Sequence, residues 1–194
     1  MVMSASEQKR VLRERLRAMP IEDAAQADRA IQAHIRGLLA EKAQTRRLTI
    51  GAYWPMSGEV DYRPALLNEQ KELTLGLPVV MGNDKPLLYR EWQPDQPLTK
   101  GRYGIPVPDE AQPLVVPDVL LIPMLGFDRA GYRLGMGGGF YDRTLVTMAA
   151  LTIGLCYQAR MVEALPREAH DQPLDWIVTE EGAMSFASTQ KGRG

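Results

Sequence analysis

The sequence predicts an α/β fold of three layers, from three observations. Apolar runs of strand length recur at Leu48–Trp54, Val119–Ile122, Leu151–Cys156 and Leu174–Val178. Segments with helical apolar spacing alternate with them, and that alternation puts helices against a sheet. The 194 residues contain no internal repeat and no linker, so residues 1–194 read as one domain, with a polar tail expected to fray from about Ser185.

Taken in order, Ser4-Ala5-Ser6-Glu7 matches a capping box and opens a first helix with Val11, Leu12, Leu16 and Met19 as its apolar stripe. Lys9 and Arg13, four apart, share a face beside that stripe. The residues alone read as a solvated basic face, where substitutions cost no more than about 0.5 kcal/mol. After Pro20 a second helix runs to about Ala40, turning Ile31, Ile35, Leu38 and Leu39 inward. His34 and His170 are isolated and read as structural or surface residues. Leu48–Trp54 is a strand, and Asp61 is a candidate N-cap for a helix through Leu67, with Glu59 an acidic residue just ahead of it. Leu73–Val80 and Leu87–Trp92 form a hairpin across Gly82–Pro86. Pro94–Pro117 is a long connection of the length that is often functional. A helix over Tyr141–Ala150, a strand to Cys156, a loop over Glu163–Pro173 and a last strand from Leu174 complete the reading, with Asp175 a turn residue.

Lys and Arg number 23 against 24 Asp and Glu, so no global charge recruits nucleic acid or an anionic membrane. No apolar stretch has the length of a membrane span, and no apolar core follows the charged N-terminus. The single cysteine, Cys156, fits a reducing compartment and an inert core thiol. A soluble cytoplasmic protein, favoured as a monomer, is expected.

Asp118–Arg143 carries the most information. A buried strand stops at Pro123, six glycines follow between Gly126 and Gly139, and a helix begins at Phe140-Tyr141-Asp142-Arg143. Glycine lets backbone amides approach an anion, a helix N-terminus favours one, and Arg133 offers forked donors. Asp142 could hold Mg²⁺, which prefers oxygen ligands. The dinucleotide fingerprint and the P-loop spacing are both absent. A tight glycine-permitted crossover remains the alternative.

The run Gly126 to Asp142, GFDRAGYRLGMGGGFYD, resembles the signature of the 5-formyltetrahydrofolate cyclo-ligase (methenyltetrahydrofolate synthetase) family. Further similarity extends from Lys9 to Asp175 and includes Gly101–Pro108. The resemblance implies a mostly parallel sheet flanked by helices, and ATP-dependent cyclisation of 5-formyltetrahydrofolate to the 5,10-methenyl form. ATP is the co-substrate, Mg²⁺ the metal, and a reduced folate, with or without a polyglutamate tail, the substrate. Lys9, Glu59 and Arg133 are implied in catalysis. The segment Lys9, Arg10, Val11, Leu12, Arg13 and the run Arg133, Leu134, Gly135, Met136, Gly137, Gly138, Gly139, Phe140, Tyr141 are implied in ATP binding. Arg13, Trp54, Glu59, Met136, Gly137, Gly138, Gly139 and Phe140 are implied at the folate, and Asp142 with Asp175 at Mg²⁺. Some family members carry basic residues where this chain has Met136 and Gly138, so any role of those two is positional. A nucleotide- or folate-binding regulator, or an enzyme acting on another phosphorylated small molecule, would share such a scaffold.

Overall fold

The computed structural model describes residues 3–43, 46–67, 73–168 and 171–186. Helix α1 (Ala5–Ala18) begins with the expected capping box: Ser4 Oγ accepts the Glu7 amide at 3.3 Å, and the Glu7 carboxylate accepts the Ser4 amide at 2.8 Å. Helix α2 (Ala24–Lys42) is capped by Asp23, and Ile31, Ile35, Leu38 and Leu39 are buried along it. The remaining elements are β1 (Leu48–Gly51), α3 (Arg63–Leu66), β2 (Leu73–Val80), β3 (Leu87–Glu91), β4 (Leu98–Lys100), β5 (Pro106–Pro108) and β6 (Leu114–Val115). They continue with β7 (Val119–Pro123), β8 (Gly126–Asp128), β9 (Arg133–Leu134), α4 (Phe140–Thr147), β10 (Leu151–Leu155), β11 (Met161–Val162), β12 (Trp176–Thr179) and β13 (Gly182–Ser185).

Among the described residues the main sheet has eight strands in the order β13-β12-β10-β7-β1-β2-β3-β6. From β12 to β2 every pairing is parallel, while β13, β3 and β6 are antiparallel additions. The period-2 alternation of β7 builds both layers. Val119 and Leu121 face the cluster containing Ile31, Ile35 and Leu66, on the α2 and α3 side. Leu120 and Ile122 face the cluster that Phe140, Tyr141 and Leu145 of α4 complete. Each such side chain contributes on the order of 1.5–3 kcal/mol, so a strand buried on both faces occupies the centre. No described helix is long and apolar enough to cross a membrane.

Several expectations are corrected. Strand β1 ends at Gly51 rather than Trp54, because the chain turns where Tyr53 donates to the Val60 carbonyl and Tyr62 to that of Tyr53. Asp61 does not cap α3: Tyr62 stands at that position, and Asp61 instead accepts the Arg63 amide and guanidinium. Val11 is 45% exposed and lies off the buried stripe. The long connection 94–117 carries the antiparallel pair β4–β5, turned at Gly101–Gly104, and edge strand β6. Between β7 and α4 a hairpin, β8–β9, is interposed, because Asp128 accepts the Ala130 and Tyr132 amides and Gly131 adopts φ +84. Helix α4 stops at Thr147, not Ala150, after Thr144 and Thr147 turn their hydroxyls onto the carbonyls of Phe140 and Thr144. Ser185 belongs to β13; the rest of the tail, apart from Phe186, lies outside the described residues, as does His170.

Gly51 is a point of close packing in the sheet. A Cβ there would lie 2.6 Å from both Leu120 Cδ2 and Pro117 Cγ. Gly51→Ala is expected to destabilise the fold by about 1–3 kcal/mol through overpacking, read as a lower denaturant midpoint at an unchanged m-value. A wild-type midpoint would show that these neighbours yield freely.

Candidate active site

The turns that leave the carboxyl ends of β1, β7 and β10 gather at one edge of the sheet, the usual ligand edge of parallel α/β folds. Helix α1 lies over the same edge. Its Leu16 and Leu12 pack with Leu134 of β9 and Leu165, and a Cβ on Gly126 would meet Leu16 Cδ1 at 2.5 Å.

Burial of this interface brings two cations out of water. Lys9 is 8% exposed, and its ammonium donates to Asp171 at 2.7 Å and Glu168 at 2.8 Å. Desolvation pulls the ammonium down, but bonds to Asp171 and Glu168 outweigh it and hold its pKa above the ordinary lysine value. The Arg133 guanidinium, 6% exposed, pairs with Asp142 and donates to the Gln172 carbonyl at 3.1 Å. Burial draws it below the usual arginine range, opposed by the charges of Asp142 and Asp171. Asp171 therefore lies in the field of both cations.

The glycine segment wraps around these charges. Arg13 donates from Nε to the Gly135 carbonyl at 2.9 Å, and its Cζ lies 3.4 Å from where a Cβ on Gly137 would stand. Gly137 (φ +101) and Gly139 (φ +66) take left-handed conformations that suit glycine. Gly139 stands at the N-cap of α4 without a side-chain cap. Arg143 braces the segment by donating to the Gly138 carbonyl at 2.8 Å and the Asn83 carbonyl at 2.7 Å.

Across the edge, Glu59 sits on the turn after β1. Its Oε2 accepts the Met56 amide at 2.9 Å. Burial pushes its carboxyl above the ordinary glutamate value, offset in part by the Met56 amide and the charge of Arg160. The Tyr53 and Tyr141 hydroxyls both feel its charge, and burial raises both phenols well above their usual value. Trp54 stands edge-to-face with Trp92 at 5.9 Å, and the two wall an open cleft of about 470 Å³ with Leu98, Lys100 and Pro106. The Phe140 ring meets Tyr103 edge-on at 6.2 Å.

The structure gathers Lys9, Arg13, Arg133, Asp142 and Gly135–Gly139 into one patch, and Tyr141, next along α4, feels the charge of Glu59. Arg10 points away, pairing with Glu14 in solvent, as does exposed Val11. Leu134 is 1% exposed and is a core residue. Met136 is exposed, and its sulfur accepts from Arg17 at 3.6 Å. Asp175 is placed differently from the expectation. Its carboxylate accepts the Thr152 amide and hydroxyl, both at 2.8 Å, tying the amino ends of β10 and β12 together. The carboxylate that shares Arg133 with Asp142 is Asp171. Cys156 is buried and its thiol is pushed up to about 12, in keeping with an inert core group.

Fold and site together define a three-layer α/β protein whose strand ends join a glycine-rich, cation-lined loop to a carboxylate held on a turn. The chain belongs to the 5-formyltetrahydrofolate cyclo-ligase family, whose model matches residues 3–180. It is 35% identical over 159 residues to the 5-formyltetrahydrofolate cyclo-ligase of Haemophilus influenzae, covering 77% of this chain and 83% of that one. The Escherichia coli K12 cyclo-ligase is 32% identical over 175 residues, covering 79% and 94%. The NMR structure of Aquifex aeolicus 5,10-methenyltetrahydrofolate synthetase superposes with a TM-score of 0.79 at 30% identity, covering 99% of this chain and 96% of that one.

The burial of Lys9 yields a test against the solvated-face reading. Lys9→Ala would leave Glu168 and Asp171 facing each other without their shared cation. Because Glu168 is 39% exposed, the loss is set below that of a fully buried pair, at about 1–3 kcal/mol. Chemical denaturation of the ligand-free variant checks it. A loss below about 0.5 kcal/mol would restore the solvated face.

Proposed function

We propose that the protein converts 5-formyltetrahydrofolate to 5,10-methenyltetrahydrofolate, coupled to conversion of ATP to ADP and phosphate. One observation carries this: a single sheet edge unites the glycine segment, the α1 cations and the carboxylate of Glu59. The formyl oxygen is a poor leaving group. Transfer of the γ-phosphoryl group to that oxygen makes an electrophilic iminium phosphate. N10 of the folate then attacks the formyl carbon, the carbon–oxygen bond breaks, the oxygen departs in phosphate, and the N10 proton leaves with that phosphate.

In this reading the chain supplies alignment and charge neutralisation. Lys9, Arg13, Arg133 and the amides of Gly135–Gly139 bind the triphosphate. Glu59 accepts N–H donors of the pterin, Phe140 packs against its ring, and Trp54 lines the approach. Tyr141, partly buried against the core beneath, holds the first turn of α4 under the loop. Mg²⁺ fits the residues present. It takes few protein carboxylates when phosphates complete its shell, and no group of three or more His, Cys, Asp or Glu that could hold a metal occurs among the described residues. We assign it to Asp142 with Asp171, in place of Asp175; when bound it would neutralise phosphate charge.

The near-ultraviolet absorbance of the methenyl product is expected only when ATP, Mg²⁺ and 5-formyltetrahydrofolate are combined. Product formed without ATP would overturn the proposal. Asp142→Asn and Asp171→Asn should each raise the Mg²⁺ concentration for half-maximal turnover by about tenfold. Asp175→Asn should lower the melting temperature and leave the Mg²⁺ dependence unchanged. A Mg²⁺ response confined to Asp175→Asn would return the metal to that residue.

Glu59 generates a pH prediction. Its folded pKa is raised, so it takes up a proton earlier than an ordinary glutamate as pH falls, and the neutral acid is a weaker acceptor of N–H donors that turns one oxygen into a donor. Folate kcat/KM should fall through an acid limb lying above the ordinary glutamate value. In Glu59→Gln that limb should vanish, with the folate KM raised and ATP affinity little changed. The limb surviving in Glu59→Gln would contradict the role.

A further inference from the structure

Arg160 lies in the 3-10 turn Gln158–Arg160 after β10 and is 4% exposed. A guanidinium so far from water needs donors satisfied and charge compensated. Nη1 donates to the Gly58 carbonyl at 2.8 Å, while the buried Nε has no hydrogen-bond partner among the described residues. Its Cζ stands 5.7 Å from the Tyr157 ring centroid. The Tyr157 hydroxyl, bonded to Asp28 of α2 at 2.9 Å, also approaches the Glu59 carbonyl at 3.5 Å. Successive carbonyls of the Glu59 turn are thus held by the segment that follows β10. The same segment underlies the glycine hairpin: a Cβ on Gly126 would come within 2.9 Å of the Arg160 carbonyl oxygen.

We infer that Arg160 is a positioning residue for Glu59, pinning the Gly58–Glu59 turn to the base of the glycine hairpin so that the folate end and the phosphate end keep a fixed spacing. This rests on the reading of Glu59 as the pterin acceptor. Gly58 has φ +83, so the carbonyl that Arg160 grips belongs to a residue a side chain would strain. The donor is cationic, and bonds from a charged donor are the stronger kind. The groups around Glu59 are Tyr53 from the end of β1, Tyr141 from α4, and Tyr157 with Arg160 after β10; Asp28 stands behind Tyr157. Arg160 supplies the positive charge that opposes the desolvation of Glu59.

A double-mutant cycle on the intact protein tests this. Arg160→Gln removes the charge and ends two bonds short of the Nη1 that grips the Gly58 carbonyl. It should raise the folate KM about tenfold, leave the ATP KM within about twofold, and move the acid limb of folate kcat/KM to higher pH. Arg160→Lys should keep the limb near its wild-type position. Placed on Glu59→Gln, Arg160→Gln should add less than about twofold, because its effect passes through Glu59. Independent losses in the two backgrounds, or equal losses for folate and ATP, would overturn the positioning role. If Arg160→Gln does not fold, Tyr157→Phe carries the same cycle, with a smaller non-additive effect expected and additivity again contradicting it. A Glu59→Gln enzyme with wild-type folate kinetics would overturn both this inference and the folate reading beneath it. Additivity on top of a measurable Glu59 effect overturns the positioning role alone.

Discussion

Two cations taken out of water decide how the ligand edge of this molecule is built. Lys9 and Arg133 sit where α1 covers the glycine hairpin, and burying both charges there is costly unless carboxylates are brought to them. Glu168 and Asp171 answer Lys9, while Asp142 answers Arg133 with Asp171 nearby. Satisfying them draws together α1, β9, the first turn of α4 and the segment after β11. Leu16, Leu134 and Leu165 supply the apolar contact, but the charges choose which loop residues meet.

The sheet makes such a meeting possible. Parallel pairing of β1, β7 and β10 delivers the Glu59 turn, the glycine hairpin and the Arg160 turn to the same edge. Glycine then allows close approach, with Leu16 and the Arg160 carbonyl occupying the space a side chain at Gly126 would need. Arg13 and Arg143 hold loop carbonyls from either side. In the proposed reaction this rigidity aligns two substrates, and an exchange of ion-pair partners by Lys9 would couple nucleotide binding to the segment bearing Asp171.

Much of the fold was legible because its signals are local. The capping box at Ser4, the stripe Ile31–Ile35–Leu38–Leu39 and the apolar run of β7 each specify their element within a few residues. Element ends were less so. Strand β1 stops early through two tyrosine hydroxyls bonded to neighbouring turns, and α4 through threonines that bond their own helix. The β8–β9 hairpin rests on Asp128, whose local amide bonds look from sequence like any loop aspartate. At the site, the glycine segment stood out by residue type and family resemblance, and Glu59 by the resemblance alone. The burial of Lys9 did not, because its partners lie 159 and 162 residues away. Asp171 carries no periodicity or spacing that separates it from other acidic loop residues. Asp175, close by in sequence, is engaged instead by Thr152.

If this edge brings the γ-phosphate to the formyl oxygen, as proposed, that oxygen leaves in the phosphate. 5-Formyltetrahydrofolate carrying a heavy-oxygen label in the formyl group would be turned over with ATP and Mg²⁺, and the released phosphate examined by mass spectrometry. One labelled oxygen is expected in each phosphate released. Unlabelled phosphate, with the heavy oxygen recovered in water, would contradict it.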